Sequence, residues 1–256
     1  MKRLRLELEY LFSGIAFYTR LPIPAWVPYS PDHLNKSRKY LPLIGLLVGA
    51  MGALTYSLST LVLPGSVSVL LSMIATVFIT GAFHEDGFAD SCDGFGGGWK
   101  KEQILRIMKD SCIGTYGAIG LLLSLGLKYQ LLLAIHQVSP DLVVLALLAG
   151  HSISRLMASV IMQCSVYVAD LEKSKSSSVT SMRLSLSEML YSVIPVIVLW
   201  LVLPVLWWST IVPVIIVSFW LSHYFKKKIG GYTGDCLGAI QQISELTFYL
   251  SVVALL

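Results

Sequence analysis

Charge is scarce in this chain. Only 13% of its 256 residues are Asp, Glu, Lys or Arg, 55% are hydrophobic, and the mean hydropathy is +0.72. So little charge excludes an ordinary soluble domain and points to a polytopic membrane protein. Cysteine is also sparse. Cys92, Cys112, Cys164 and Cys236 form no C-x-x-C pair and no histidine stands at zinc-site spacing, which leaves small packed side chains in a reducing compartment. The net charge of +4 gives no sign of a nucleic-acid partner, because the basic residues stand in short groups beside apolar segments. The opening residues MKRLRLELEY lack a hydrophobic core followed by a small-residue cleavage site, so a removed signal peptide is not expected.

What is there is a series of apolar runs. A bilayer crossing needs roughly 20 mostly apolar residues. About seven stretches qualify on that count: 41–63, 67–83, 116–136, 140–163, 189–204, 207–225 and 236–256. The expected fold is therefore an all-α membrane bundle, a single domain over 1–256 with no sequence repeat. Residues 8–20 are too short to cross and end at Arg20 and the Pro-rich LPIPAWVP, so they are expected at the interface or as a re-entrant segment.

All but two of the 19 Lys and Arg fall before the first span or in the connections after the second, fourth and sixth. The other connections carry none. The positive-inside rule then puts the N-terminus and these basic connections in the cytoplasm, and the C-terminus on the far side. The flexible polar stretch 172–181 belongs to the same face. The two remaining cations, Lys128 and Arg155, fall inside spans, as do His151 and Glu245. Ionisable groups at membrane depth pair with one another or line a wet cavity. An Arg155–Glu245 ion pair and a substrate contact are both open, and Lys128 is expected to snorkel.

Against this background one run stands out: His84 to Gly98, HEDGFADSCDGFGGG. Asp86, Asp90 and Asp93 stand at i, i+4 and i+7, one stripe of an α-helix, whereas Glu85 is about 100° off it. Three like charges on a stripe repel, and a divalent cation removes the penalty. Hard oxygen ligands favour Mg²⁺ or Mn²⁺ over zinc. The helix is expected to stop near Gly94, leaving Gly94 and Gly97 in a cradle of backbone N–H groups suited to a diphosphate. Two further segments share the face. RIMKDSCIGTYG carries Arg106, Lys109 and Asp110; GGYTGDCLG, after Lys226–Lys228, carries Thr233, Gly234 and Asp235. Cations, hydroxyls and glycine N–H groups make up the usual phosphate-binding inventory.

At these residues the sequence resembles the cobalamin synthase family, the adenosylcobinamide-GDP ribazoletransferases. The likeness runs through FYTRLPIP at 17–24, YLPLIGLLVGA at 40–50, the His84–Gly98 block, MKDSCIGTYGAIGL at 108–121 and GGYTGDCLGA at 230–239. The family usually has a hydrophobic residue where this chain has Glu85, and often Arg where it has Cys112. The resemblance implies a Mg²⁺-dependent integral-membrane transferase of a bacterial or archaeal cytoplasmic membrane. Such an enzyme joins adenosylcobinamide-GDP to α-ribazole or its 5′-phosphate and releases GMP. Asp86, Asp90 and Asp93 would hold Mg²⁺, with Asp110 or Asp235 completing the shell. Asp86, or else Asp90, would act as base. His84, Arg106, Lys109, Lys228, Thr233 and Gly234, with the Gly94 and Gly97 amides, would bind substrate. A homo-oligomer is left open.

Two other readings compete. A CDP-alcohol phosphotransferase would show D-x-x-D-G, matched by Asp90, Asp93 and Gly94, and G-x-x-x-D-x-x-x-D, matched by Asp86 and Asp90 with Ala82 in place of Gly. The order is altered and that family's Ala-Arg pair is missing. An ion-coupled transporter would hold its carboxylates near the bilayer midplane, and here they stand at a span end beside basic loops.

Overall fold

The computed structural model describes residues 2–168 and 183–256. Lys173, Lys175 and the polar stretch 172–181 lie outside them. Eleven α-helices follow in order among the described residues: α1 Lys2–Tyr18, α2 Pro31–Ser37, α3 Leu41–Ser59, α4 Gly65–Thr80, α5 Phe83–Gly97, α6 Lys101–Met108, α7 Thr115–Val138, α8 Pro140–Cys164, α9 Leu186–Trp200, α10 Ile211–Ile229 and α11 Gly234–Val253. Short 3-10 turns lead into α3 and α10. The expected all-α bundle is what the chain forms.

Four helical stretches among the described residues are long and apolar enough to cross a bilayer: Pro31–Ser59, Thr115–Val138, Pro140–Cys164 and Val205–Ile229. A fifth crossing would need α4 and α5 together, and those two meet at 87°. This is fewer than the seven apolar runs in the sequence, for two physical reasons. α9 has only 15 residues and contains Pro195. α11 has 20 residues but turns Gln241, Gln242, Ser244 and Glu245 into the protein interior, so it is an inner helix, less apolar than a lipid-facing one.

α8 forms the centre, buried along most of its length. Its seam with α3 is built on small residues. A Cβ on Gly49 would stand 2.6 Å from the Leu147 carbonyl oxygen, and one on Gly45 would collide with that of His151. The backbones therefore touch, as in small-xxx-small helix pairs in membranes. The opposite surfaces are apolar and outward, with Phe78, Leu122, Leu123, Ile216 and Trp220 all exposed. Large apolar side chains turned outward in this way suit lipid.

Ionisable groups at membrane depth are paired, in an arrangement the spacing did not give. Lys128 does not snorkel: it is buried, and its Nζ lies 2.6 Å from Glu245 Oε1. Glu245 Oε2 is 3.3 Å from His151 Nδ1. Arg155 instead donates through one terminal nitrogen to the His151 carbonyl at 3.1 Å. Among the described residues the partner of Glu245 is Lys128 rather than Arg155, because α7 as well as α8 packs against α11.

Candidate active site

The site is assembled at one end of the bundle by the turn between α4 and α5. Gly81 and Ala82 both adopt left-handed backbone conformations, φ +64° and +58°. Two such residues in succession end α4 and turn the chain sharply into α5, at a conformational cost that falls on Ala82, which has a Cβ. Arg20 braces the turn: its N–H donates to the Ile79 carbonyl at 2.7 Å, and its guanidinium lies against Gly81, where a Cβ would strike it.

α5 carries the carboxylates, graded in exposure: Asp86 is exposed, Asp90 half-buried and Asp93 buried. Two glycines bring Asp235 of α11 beside them. A Cβ on Gly87 would stand 2.9 Å from the Asp235 Cα, and one on Gly238 would stand 2.9 Å from the His84 carbonyl oxygen. Burial pushes the Asp90 carboxyl up to about 6, helped by the negative charges of Asp235, Asp86 and Asp93. Asp235 is also raised, by burial first and by Asp86, against the opposing hydrogen bond from Thr233. These residues repel one another, as the stripe predicted.

Asp93 has a task the sequence did not reveal. Its Oδ2 accepts the Gly114 N–H at 2.7 Å and its Oδ1 that of Gly117 at 2.9 Å. The first amide is that of the N-cap residue of α7 and the second lies in its first turn, so Asp93 caps a helix whose own N-cap residue, Gly114, has no side chain. The G-x-x-G spacing at 114–117 was the available signal. Both of its oxygens are thus occupied, and Asp93 is a poorer metal ligand than its place on the stripe suggests.

The glycine run departs from expectation. α5 continues through Gly97, with the Gly98 N–H donating to Gly94 at 2.9 Å. The amides of Gly94 and Gly97 are therefore consumed inside the helix, and a cradle of free N–H groups does not form. The glycines serve packing instead. A Cβ on Gly94 would stand 2.6 Å from Met108 of α6, and one on Gly96 would stand 2.6 Å from the Tyr116 ring of α7. Close packing offsets the low helix propensity of glycine.

The three polar segments converge, as expected. Asp93 joins the first to the second. Thr233 Oγ1 lies 3.9 Å from Met108 Sδ and joins the third to α6. Beyond it, Tyr232 N–H donates to the Val166 carbonyl at 3.0 Å and Val168 N–H to that of Tyr232 at 2.8 Å, tying the end of α8 to the start of α11. Thr233 caps α11, accepting the Cys236 N–H at 3.3 Å. Gly234 is exposed to open space. Arg106, Lys109 and Lys228 are exposed on the same end. Asp110 is exposed and engaged locally, accepting the Cys112 N–H at 3.1 Å, so it does not join the carboxylate set. His84 is buried. An enclosed imidazole suits packing under α5 better than phosphate binding.

Among the described residues no three His, Cys, Asp or Glu side chains are gathered closely enough to hold a metal ion. The donor chemistry of Asp86, Asp90 and Asp235 nevertheless fits a hard divalent cation, and their mutual repulsion is the kind such an ion relieves.

Fold and site together define an all-α, multi-helix membrane protein with a carboxylate-lined site at one end of its bundle. By sequence the chain belongs to the cobalamin-5-phosphate synthase family, whose pattern it matches over residues 10–253, and by that membership it is a transferase of cobalamin biosynthesis. It is similar to the adenosylcobinamide-GDP ribazoletransferase of Shewanella frigidimarina (strain NCIMB 400), with 44% identity over 97% of this chain and 95% of the relative. It is likewise similar to that of Shewanella woodyi (strain ATCC 51908 / MS32), with 43% identity over 99% and 98%. No solved structure matches.

Proposed function

We propose that this protein transfers the adenosylcobinamide phosphate group from adenosylcobinamide-GDP to α-ribazole or its 5′-phosphate, at the cytoplasmic face of a bacterial cytoplasmic membrane. The observation that carries the reading is the family match over nearly the whole chain. The chemistry of the α5–α11 junction supports it.

In the reaction an alcohol oxygen of the ribazole forms a new bond to a phosphorus of the diphosphate, the bond from that phosphorus to the GMP oxygen breaks, and GMP leaves with the negative charge. Such a transfer is mostly positioning plus stabilisation of charge on oxygen. Asp86, Asp90 and Asp235 would hold Mg²⁺, which when bound neutralises diphosphate charge and polarises the phosphorus. Asp86, the exposed member of the set, would take the proton of the incoming alcohol. Arg106, Lys109 and Lys228 draw the polyanionic donor to this end of the bundle. Asp93 and Thr233 hold the ends of α7 and α11 in place around it.

The test is direct. Purified protein in detergent or nanodiscs is incubated with adenosylcobinamide-GDP, α-ribazole and Mg²⁺, and GMP and the corrinoid product are followed. Stoichiometric GMP and cobalamin are expected, lost on adding a chelator. Absence of GMP with both acceptor forms would overturn the reading.

A further inference from the structure

Glu85 lies about 100° off the stripe of aspartates by helical geometry. In the structure that same phase turns it into the protein, where it is 9% exposed. Its Oε1 accepts the Gln242 side-chain amide at 3.0 Å. The chain of bonds continues without a break. Gln242 Nε2 donates to Gln241 Oε1 at 2.9 Å, and Gln241 Nε2 donates to Glu245 Oε2 at 2.7 Å and to Ser154 Oγ at 3.0 Å. Glu245 Oε1 takes Lys128 and the Tyr249 hydroxyl, at 2.6 and 3.0 Å. One connected polar network thus joins α5 to α11, α8 and α7, and every member from Gln241 to Lys128 is at most 5% exposed.

A buried carboxylate in a membrane protein is costly, and the second oxygen of Glu85 has no hydrogen-bond partner among the described residues. Glu85 is thus poorly explained by stability alone. What it touches gives the alternative. It is adjacent in sequence to Asp86, and α5 rests on α11 at Gly87 and Gly238 with no room between the backbones. That close contact sets the distance between the two helices, and Asp93, bonded to the Gly114 and Gly117 amides, holds the rotation of α5 at its far end. The Glu85–Gln242 bond, on the inward side of α5, holds it at the near end beside Asp86, and with it the direction in which Asp86 and Asp90 face relative to Asp235.

We propose that Glu85 is a positioning residue for the transfer reaction: through its hydrogen bond to Gln242 it holds α5 in the rotational setting that presents Asp86 and Asp90 to the substrate and to Asp235. The inference rests on the reaction proposed above. A misplacement of about 1 Å in a catalytic group is worth up to about a hundredfold in rate, so the effect belongs in kcat.

The experiment compares Glu85→Leu, which removes the bond, with Glu85→Gln, which keeps an acceptor oxygen toward Gln242. Glu85→Leu is expected to lower kcat about tenfold with KM for the donor changed less than about twofold, and Glu85→Gln to restore most of it. Independently of activity, hydrogen exchange in substrate-free and metal-free protein should quicken across residues 83–94 in Glu85→Leu and stay at the wild-type rate in Glu85→Gln. Gln242→Met cuts the same bond from α11 and serves if Glu85→Leu does not fold. The double variant should be no worse than either single, since one bond cannot be lost twice. Wild-type kcat and exchange in Glu85→Leu would overturn the proposal; so would a Glu85→Gln as impaired as Glu85→Leu, or additive losses in the double variant. A wild-type protein that releases no GMP in the same assay would instead overturn the reaction itself, while the exchange comparison would still report on the bond.

Discussion

Asp90 and Asp93 sit three residues apart on one helix, yet their environments give them opposite effects on stability. Asp93 accepts two amides that no other described residue satisfies. Asp93→Ala leaves both without that partner and should destabilise the protein by about 2 kcal/mol, the upper range for a lost helix cap, seen as a lower melting temperature in detergent. Asp90 lies among like charges, and its folded-state carboxyl is pushed up to about 6 from an ordinary 3.8. The folded protein thus binds this proton more tightly than the unfolded chain. Ionising Asp90 begins to cost stability above the unfolded value, and the cost is complete once the pH passes about 6. Asp90→Asn should therefore raise the melting temperature of the metal-free protein at about pH 8 and leave it nearly unchanged at about pH 4, while turnover is lost. If Asp90 is a ligand of Mg²⁺ as proposed, protons compete with the ion there, and the Mg²⁺ concentration giving half-maximal turnover should rise as pH falls through about 6. A flat Mg²⁺ requirement from pH 8 to 5 would remove Asp90 from the ion's ligands.

At the level of elements, the site exists because α5 and α11 approach without side chains between them. Gly87 and Gly238 each face backbone atoms at 2.9 Å, which cannot yield as the end of a flexible side chain can. Gly87→Ala and Gly238→Ala should each lower turnover at least about tenfold by pushing Asp235 away from Asp86 and Asp90, with far-ultraviolet circular dichroism unchanged. Activity near wild type in both would show that the helices tolerate a wider spacing. The turn feeding α5 predicts the reverse sign. Ala82 holds a left-handed conformation that glycine adopts freely, so Ala82→Gly should stabilise the protein by up to about 1 kcal/mol, read as a higher melting temperature.

For the whole molecule, the distribution of cations predicts the orientation of the bundle, and among the described residues the basic connections before α6 and after α10 come together, since a Cβ on Gly230 would stand 3.6 Å from Lys101 Nζ. Cys112 is exposed in the connection between α6 and α7, and Val62 is exposed in the turn between α3 and α4. With the site facing the cytoplasm, a membrane-impermeant maleimide applied to intact cells should modify a Val62→Cys variant and leave Cys112 untouched until the cells are opened. Labelling of Cys112 in intact cells would invert the topology and place the site away from the cytoplasmic nucleotide pool.

What the sequence determined by itself was local, periodic or compositional. An apolar chain with few charges had to become membrane helices. Aspartates at i, i+4 and i+7 had to share a helical face, and the distribution of cations predicted that the three polar segments belong together. Tertiary structure decided the rest, because packing between distant segments leaves no mark in spacing. It carried α5 past its glycines, since α6 and Tyr116 needed the room that a missing side chain provides. It assigned Asp93 to the start of α7 and left Asp110 in its own turn. It gave Glu245 to Lys128, because α7 packs against α11 and brings its cation to that carboxylate. It also buried Glu85, since the side of α5 about 100° from the aspartates packs against Gln242 of α11.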